Sequence, residues 1–154
     1  MRFDGKVVLV TGASRGIGAS IARLFAQQGA HVAVHYHGFR EGAEVVAEAL
    51  PGGPHMIVQA DMKEPSAVAG MIAAVVDELG RIDVLVNNAG IYEEHPLAET
   101  GYQAWQASWQ RVIDTNLIGP ANASYCAAQE MIRQGGGRIV NVSSRGAFRG
   151  EPLG

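Results

Sequence analysis

Apolar and polar positions along the chain follow two periods, one typical of buried strands and one typical of amphipathic helices. Residues 6–10 are apolar on both faces, as in a parallel strand that is covered on both sides. From 17 to 28 the apolar residues recur at helical spacing, and Gly29 follows as the expected glycine cap. The chain therefore begins with a strand, a glycine-rich turn and a helix.

The alternation of strands and helices continues through the chain. Further strands are predicted at 31–36, 55–60, 82–87 and 138–143, and further helices at 41–50, 65–79 and 102–134. Gly119 and Pro120 predict a bend or break in the long last helix, because proline lacks the backbone N–H. Strands and helices in this order predict an α/β fold, a doubly wound parallel sheet with helices on both faces.

The end of the sequence predicts a loop and an uncovered strand. Residues 145–154 are rich in glycine and follow the last strand, which would present a long apolar edge if the sheet ended there. We therefore expect the biological chain to continue past Gly154, with further strands and helices of the same single domain.

Composition narrows the class of protein. The chain has 154 residues, 47% of them hydrophobic, and a net charge of −3, so it offers no basic excess for a nucleic acid. Cys126 is the single cysteine, which leaves no disulfide framework, and the five histidines lack the spacing of a metal site. Asp4 interrupts the apolar N-terminal run, and no stretch is long enough to span a membrane, so we expect a cytoplasmic protein.

The turn after the first strand reads T-G-A-S-R-G-I-G over residues 11–18. Glycine there permits a positive φ and close approach of a ligand, and the N-terminus of the next helix offers free N–H groups to a pyrophosphate. A purely structural turn is the alternative interpretation of these glycines.

Three further motifs follow in order: N-N-A-G at 87–90, Asn116 in the long helical region, and N-V-S-S at 141–144. Together with the glycine turn they resemble the short-chain dehydrogenases/reductases over the entire chain. The resemblance implies a Rossmann-like dinucleotide-binding domain over residues 1–154. It also implies an NAD(P)-dependent oxidoreductase that moves a hydride between a nicotinamide and a small carbonyl or alcohol substrate.

By the resemblance, the glycine turn holds the pyrophosphate, Asp61 accepts a hydrogen bond from the adenine amino group, and residues 88–90 pack along the ribose. The predicted cofactor-binding residues are Gly12, Ser14, Arg15, Gly16, Ile17, Gly18, Tyr36, His37, Asp61, Met62, Asn88, Ala89 and Gly90. Two plainer interpretations stay open, since Asp61 could cap the helix that starts near Pro65, and Asn87 and Asn88 could form a turn.

Cofactor choice depends on the end of the second strand, where a carboxylate would bind a free 2′-hydroxyl and repel a 2′-phosphate. The sequence there has no acidic residue before Glu41, which is expected in the first turn of the next helix. Arg15, helped by His37 or Arg40, can clamp a phosphate with its guanidinium. NADP(H) is therefore favoured over NAD(H), which stays possible.

The resemblance assigns the catalytic roles of Ser144, which hydrogen-bonds the substrate oxygen, and of Asn116, which holds a water in the proton path. The proton itself is moved by a Tyr-x-x-x-Lys pair, expected roughly a dozen residues beyond Ser144 on one helical face. The tyrosines at 36, 92, 102 and 125 have no lysine four residues later. If the biological chain ended at Gly154, it would be a dinucleotide-binding fragment without catalysis.

A stripe of Trp105, Trp109, Ile113 and Leu117 predicts a buried core face. Helices of this region pair between subunits in the family, so the resemblance implies a homo-oligomer. A scaffold that keeps the fold without binding a nucleotide is a third hypothesis, and nucleotide titration would separate it from a binding fragment.

Overall fold

The computed structural model describes residues 2–149 and shows a parallel sheet between two layers of helices. The described strands are β1 (Val7–Val10), β2 (His31–Tyr36), β3 (Met56–Gln59), β4 (Val84–Asn87) and β5 (Arg138–Asn141). The described helices are α1 (Gly16–Gln27), α2 (Arg40–Glu48), α3 (Pro65–Leu79), α4 (Tyr102–Ile113), α5 (Gly119–Arg133) and α6 (Gly146–Arg149), with a π-helical turn at Asp114–Ile118.

The sheet has the strand order β3-β2-β1-β4-β5, and every pairing in it is parallel. The chain runs outward from β1 to β3 and then crosses back to β4 on the other side of β1. This crossing is the topological switch point of a doubly wound sheet, next to which ligands bind in such folds. The predicted fold class is confirmed.

The sheet buries apolar side chains on both of its faces. On one face Leu9 and Leu85 pack with α3 and α5, and on the other Val10 and Val34 pack with α1 and α2. Strands that are apolar on both faces require this three-layer arrangement. The periodicity of the sequence therefore identifies the buried strands of the sheet correctly, with element bounds within two residues of those observed.

A buried carboxylate ties the strands together at their amino ends. Asp83 accepts hydrogen bonds from the Val7 amide (3.0 Å), from Lys6 Nζ (3.0 Å) and from two nitrogens of Arg81 (2.7 and 2.8 Å). Burial opposes ionisation of Asp83, but these donors together lower its pKa below the ordinary value. Asp83 thus links the amino ends of β1 and β4.

Three sequence predictions are corrected. The break in the long helix takes the form of a π-helical turn before Pro120. Pro120 has no N–H to donate to the Asn116 carbonyl, and the Gly119 amide donates to Asp114 O. The predicted loop contains the short helix α6, and residues 150–154 lie outside the described part. Trp109 and Leu117 are exposed (45% and 57%), so their predicted core role is wrong.

β5 is the outermost strand on its side of the described sheet, and all four of its residues are exposed. Ile139 and Val140 are among its exposed apolar side chains, as the apolar edge in the sequence predicts. No helix within residues 2–149 is long and apolar enough to pass through a bilayer.

Candidate functional site

A cavity of about 600 Å³ opens at the carboxyl ends of β1, β2 and β4, beside the topological switch point. It brings together twelve of the thirteen residues predicted to bind a cofactor, and Gly16 lies next to them in the same turn. The residues that line the cavity are Gly12, Ser14, Arg15, Ile17, Gly18, His35, Tyr36, His37, Gly38, Phe39, Asp61, Met62, Lys63, Asn88, Ala89, Gly90, Ile91, Arg111 and Thr115.

Two glycines of the β1–α1 turn are required by close backbone packing. Gly12 has φ +63°, and a Cβ on it would lie 2.8 Å from the Cα of Ala89. A Cβ on Gly18 would overlap Gly12 O and lie 2.6 Å from Asn88 Nδ2. The turn is therefore pressed against the segment that follows β4, and no side chain fits between them.

Thr11 fastens this turn to the segment after β4. Its Oγ1 accepts hydrogen bonds from the amides of Asn88 (2.9 Å) and Ala89 (3.0 Å) and donates to Val86 O (3.3 Å). The Asn88 side chain also bonds the turn, since its Nδ2 donates to Thr11 O (2.9 Å) and Gly12 O (3.2 Å). Sequence reasoning did not assign Thr11 a role, although its place at the end of a buried strand is the available signal.

Charged side chains meet on the rim of the cavity after β2 and β3. Asp61 accepts a hydrogen bond from the Lys63 amide (3.0 Å) and lies 3.4 Å from Lys63 Nζ and 3.8 Å from His37 Nδ1. Partial burial would raise the pKa of Asp61, but the amide, His37 and Lys63 lower it below its ordinary value. Arg40, the alternative partner for a phosphate, instead pairs with Glu44 (2.7 Å) on α2.

His35 forms part of the cavity wall and is almost completely buried, with 1% of its surface exposed. Its Nδ1 accepts a hydrogen bond from the Gly12 amide (2.9 Å), and its Nε2 lies 3.1 Å from Ala60 O. Burial lowers its pKa to about 4, so the ring is neutral at physiological pH. This residue is absent from the sequence-based set, although a histidine within an otherwise apolar strand is a recognisable signal.

The loop after β4 is fastened to the π-helical turn and to α4. Asn116 exchanges two hydrogen bonds of 2.8 Å with the backbone of Ile91. Arg111 donates to both carboxylate oxygens of Glu93, at 2.9 and 2.6 Å. The Arg111 guanidinium lowers the pKa of Glu93 to about 2, so the pair stays ionised at neutral pH.

The predicted catalytic residues lie at two places beyond the main cavity. Asn116 lines a second cavity of about 330 Å³ with Asn87, Ser124 and Asn141. In it, Asn87 Nδ2 donates to Ser124 Oγ (3.0 Å) and to Asn141 Oδ1 (2.9 Å). Ser144 lies three residues after β5, and its Oγ accepts a hydrogen bond from the Gly146 amide (3.2 Å).

Comparison with known proteins identifies the family. The family model described as short chain dehydrogenase matches residues 6–154, and the chain belongs to this family. A 3-oxoacyl-(acyl-carrier-protein) reductase FabG of Staphylococcus aureus is 44% identical over 149 residues, which are 96% of this chain and 59% of that protein. An uncharacterized oxidoreductase of Methylorubrum extorquens is 40% identical over 145 residues, 93% of this chain and 56% of that protein.

The fold also matches solved structures. A short chain dehydrogenase of Burkholderia cenocepacia, determined in complex with NADP, superimposes with a TM-score of 0.87 at 36% identity. The match covers all of this chain and 61% of that one. The chain thus spans less than two thirds of the length of these relatives, and the resemblance inferred from its motifs is confirmed.

Proposed function

We propose that this chain forms the dinucleotide-binding domain of an oxidoreductase that uses NADP(H) and acts on a small carbonyl or alcohol. The observation that carries the proposal is the cavity at the switch point, whose floor is the glycine turn and whose rim carries Asp61 and Asn88. The relative solved with NADP supports the cofactor class. The relative named as an oxoacyl reductase supports a carbonyl compound as the substrate class.

The residues of the cavity fit a dinucleotide. A volume of about 600 Å³ lies within the range of small-molecule sites. α1 starts at the cavity and has no acidic residue in its first turn, so its N-terminus can receive the charge of a pyrophosphate. The backbone can approach such a group closely because Gly12 and Gly18 leave no side chain in the way.

Each part of the cofactor has proposed partners among these residues. Gly12, Ser14, Gly16, Ile17 and Gly18 form the pyrophosphate turn. Asp61 and Met62 hold the adenine, and Asn88, Ala89 and Gly90 border the ribose, with Tyr36 and His37 closing the rim. The bond of the Lys63 amide to Asp61 keeps the carboxylate oriented and ionised.

The preference for NADP(H) is proposed from the charges around the rim. Arg15, His37 and Lys63 line the cavity together with one carboxylate, Asp61, which follows β3. The acidic residue that follows β2, Glu41, is in the first turn of α2. A planar guanidinium with the side chains of His37 and Lys63 beside it suits a 2′-phosphate better than it suits a hydroxyl. We propose Lys63 as the supporting group in place of Arg40, because Lys63 lines the cavity and Arg40 does not.

The bound nicotinamide would supply or take the hydride. Asn116 holds the loop after β4 in place through its two bonds to Ile91, so that this loop borders the substrate entrance. We propose that the Ser144 hydroxyl, which now accepts from the Gly146 amide, donates its proton in a hydrogen bond to the substrate oxygen. Asn116 is proposed to support the proton path of the full protein.

The decisive variant for the cofactor is Arg15→Ala. Loss of a charge-assisted contact to the 2′-phosphate should weaken NADPH binding about tenfold or more, equivalent to at least ~1.4 kcal/mol, and NADH binding by less than about twofold. Arg23→Ala, on the same helix but outside the main cavity, is the matched control and should leave both affinities unchanged. Equal losses for the two nucleotides in Arg15→Ala would remove Arg15 from this role.

A further inference from the structure

The His35 ring connects the ends of three strands. Its side chain starts on β2, its Nδ1 meets the amide of Gly12 just after β1, and its Nε2 meets the carbonyl of Ala60 just after β3. The backbone carbonyl of His35 also accepts a hydrogen bond from the Ala13 amide (2.8 Å). Residue 35 therefore binds two successive amides of the glycine turn, one with its side chain and one with its backbone.

The two side-chain bonds define the protonation state of the ring. The Gly12 amide is a donor, so Nδ1 must present a lone pair to it. A neutral imidazole then carries its proton on Nε2, which donates to Ala60 O. A protonated ring would turn Nδ1 into a second donor that faces the Gly12 N–H, and this contact would be lost.

We propose that His35 is a positioning residue for dinucleotide binding, whose neutral ring fixes the glycine turn relative to the Asp61 carboxylate. Asp61 follows directly after the carbonyl that the ring binds, and Gly12 is the first glycine of the turn. The ring thus sets the separation between the part of the cavity for the pyrophosphate and the part for the adenine. This inference rests on the proposed function.

The same ring arrangement occurs a second time, at the opposite end of the sheet. His55 Nδ1 accepts a hydrogen bond from the Val32 amide (3.1 Å), and its Nε2 lies 3.1 Å from Pro51 O. His55 is outside the residues that line the main cavity. It therefore provides a control, a half-buried histidine that joins β2 to the segment before β3 without contacting the glycine turn.

The experiment compares His35→Leu, His35→Asn and His55→Leu by calorimetric titration with NADPH, at a temperature where each variant is shown to be folded. His35→Leu should weaken binding about tenfold or more, because the Gly12 amide loses its buried acceptor. In His35→Asn the amide Oδ1 can accept from Gly12, but the shorter side chain loses the bond to Ala60 O, so the affinity should lie between those of the parent and His35→Leu. His55→Leu should lower the thermal midpoint and leave the affinity within about twofold of the parent.

A second readout does not depend on any nucleotide. A long-range proton–nitrogen NMR spectrum of the His35 ring should show the proton on Nε2, and a scalar coupling should join Nδ1 to the Gly12 amide nitrogen. A proton on Nδ1 overturns the inference, as does parental affinity in folded His35→Leu or in folded His35→Asn. Absence of NADPH binding by the unaltered chain overturns the proposed function, and the positioning role falls with it.

Discussion

At the scale of single residues, the site depends on positions where any side chain is excluded. Gly18→Ala would place a methyl group against Gly12 O and Asn88 Nδ2, two groups that already bond each other. We expect a loss of about 1–3 kcal/mol in the free energy of unfolding, typical of overpacking, and NADPH binding weakened about tenfold or more. Denaturant titration and calorimetry measure the two effects.

Gly70→Ala is the matched control for that substitution. Gly70 lies in α3, and a Cβ on it meets nothing within 4 Å. Alanine should therefore raise the free energy of unfolding by about 0.5–1 kcal/mol through its higher helix propensity, and leave NADPH affinity unchanged. If Gly18→Ala behaved like this control, the close packing of the turn would not be needed for binding.

The buried His35 also predicts how stability depends on pH. Its pKa is lowered from 6.5 to about 4, first because the ring is buried, and the nearby His37 adds to the effect. Between these pH values the unfolded chain binds more protons than the folded one, so stability falls as the pH falls through this window. The complete loss corresponds to about 3 kcal/mol at most.

The measurement is the free energy of unfolding near pH 7 and about pH 5, in the parent and in His35→Asn. The pKa values of Asp61 and Glu93 are also lowered, so these residues lose their contribution to stability only at still lower pH. Both residues are present in the parent and in His35→Asn. The parent should lose more stability between the two pH values than the variant. Identical pH profiles would show that His35 does not titrate in this window.

The sequence predicts most of the residues that the structure brings together in the cavity, because their motifs follow directly on predicted strands. Parallel strands all present their carboxyl ends at one edge, so the turn after β1, Asp61 after β3 and Asn88 after β4 had to meet there. Thr11 and His35 were missed for a physical reason. Both act through hydrogen bonds between strands, and strand periodicity does not show which backbone group a buried polar side chain will reach.

At the scale of elements, the π-helical turn shapes the side of the site that we propose faces the substrate. Asn116 lies within it and holds the loop after β4 through two 2.8 Å bonds to Ile91. Sequence reasoning predicted a break from Gly119 and Pro120 but not its form. The missing N–H of proline is a local property, whereas the widened turn depends on how the preceding residues redistribute their hydrogen bonds.

Asn116→Ala tests this role of the turn. Removal of both bonds to Ile91 should lower the free energy of unfolding by about 1–2 kcal/mol and speed hydrogen exchange of the Ile91 amide. Gln110→Ala, which removes the exposed bond of Gln110 to Asp114 (2.8 Å), is the control and should change neither by a comparable amount. An unchanged exchange rate in Asn116→Ala would mean that other contacts hold the loop.

At the scale of the whole molecule, α4, the π-helical turn and α5 expose large apolar side chains about two helical turns apart. These are Tyr102, Trp109, Leu117, Tyr125 and Ile132. Amphipathic spacing alone does not distinguish a face that packs on the sheet from one that packs on another subunit, which is why the predicted core stripe was wrong. We propose that this face pairs with a second copy of the protein.

Trp109→Glu should therefore lower the molar mass measured by light scattering after size-exclusion chromatography, because a carboxylate would be buried in the interface. Leu24→Glu is the control, since Leu24 is also exposed (62%) but belongs to α1. It should leave the mass unchanged. A monomeric parent, or a Trp109→Glu variant with the mass of an oligomeric parent, would contradict the proposed pairing.

The central claim is that the cavity at the switch point binds a nicotinamide dinucleotide and prefers NADP(H). Calorimetric titration of the protein with NADPH and, separately, with NADH tests it most directly. The account predicts saturable binding of one nucleotide per chain, with NADPH bound about tenfold or more tightly than NADH. No saturable binding of either nucleotide would contradict the proposed function, and tighter binding of NADH would contradict the phosphate site around Arg15.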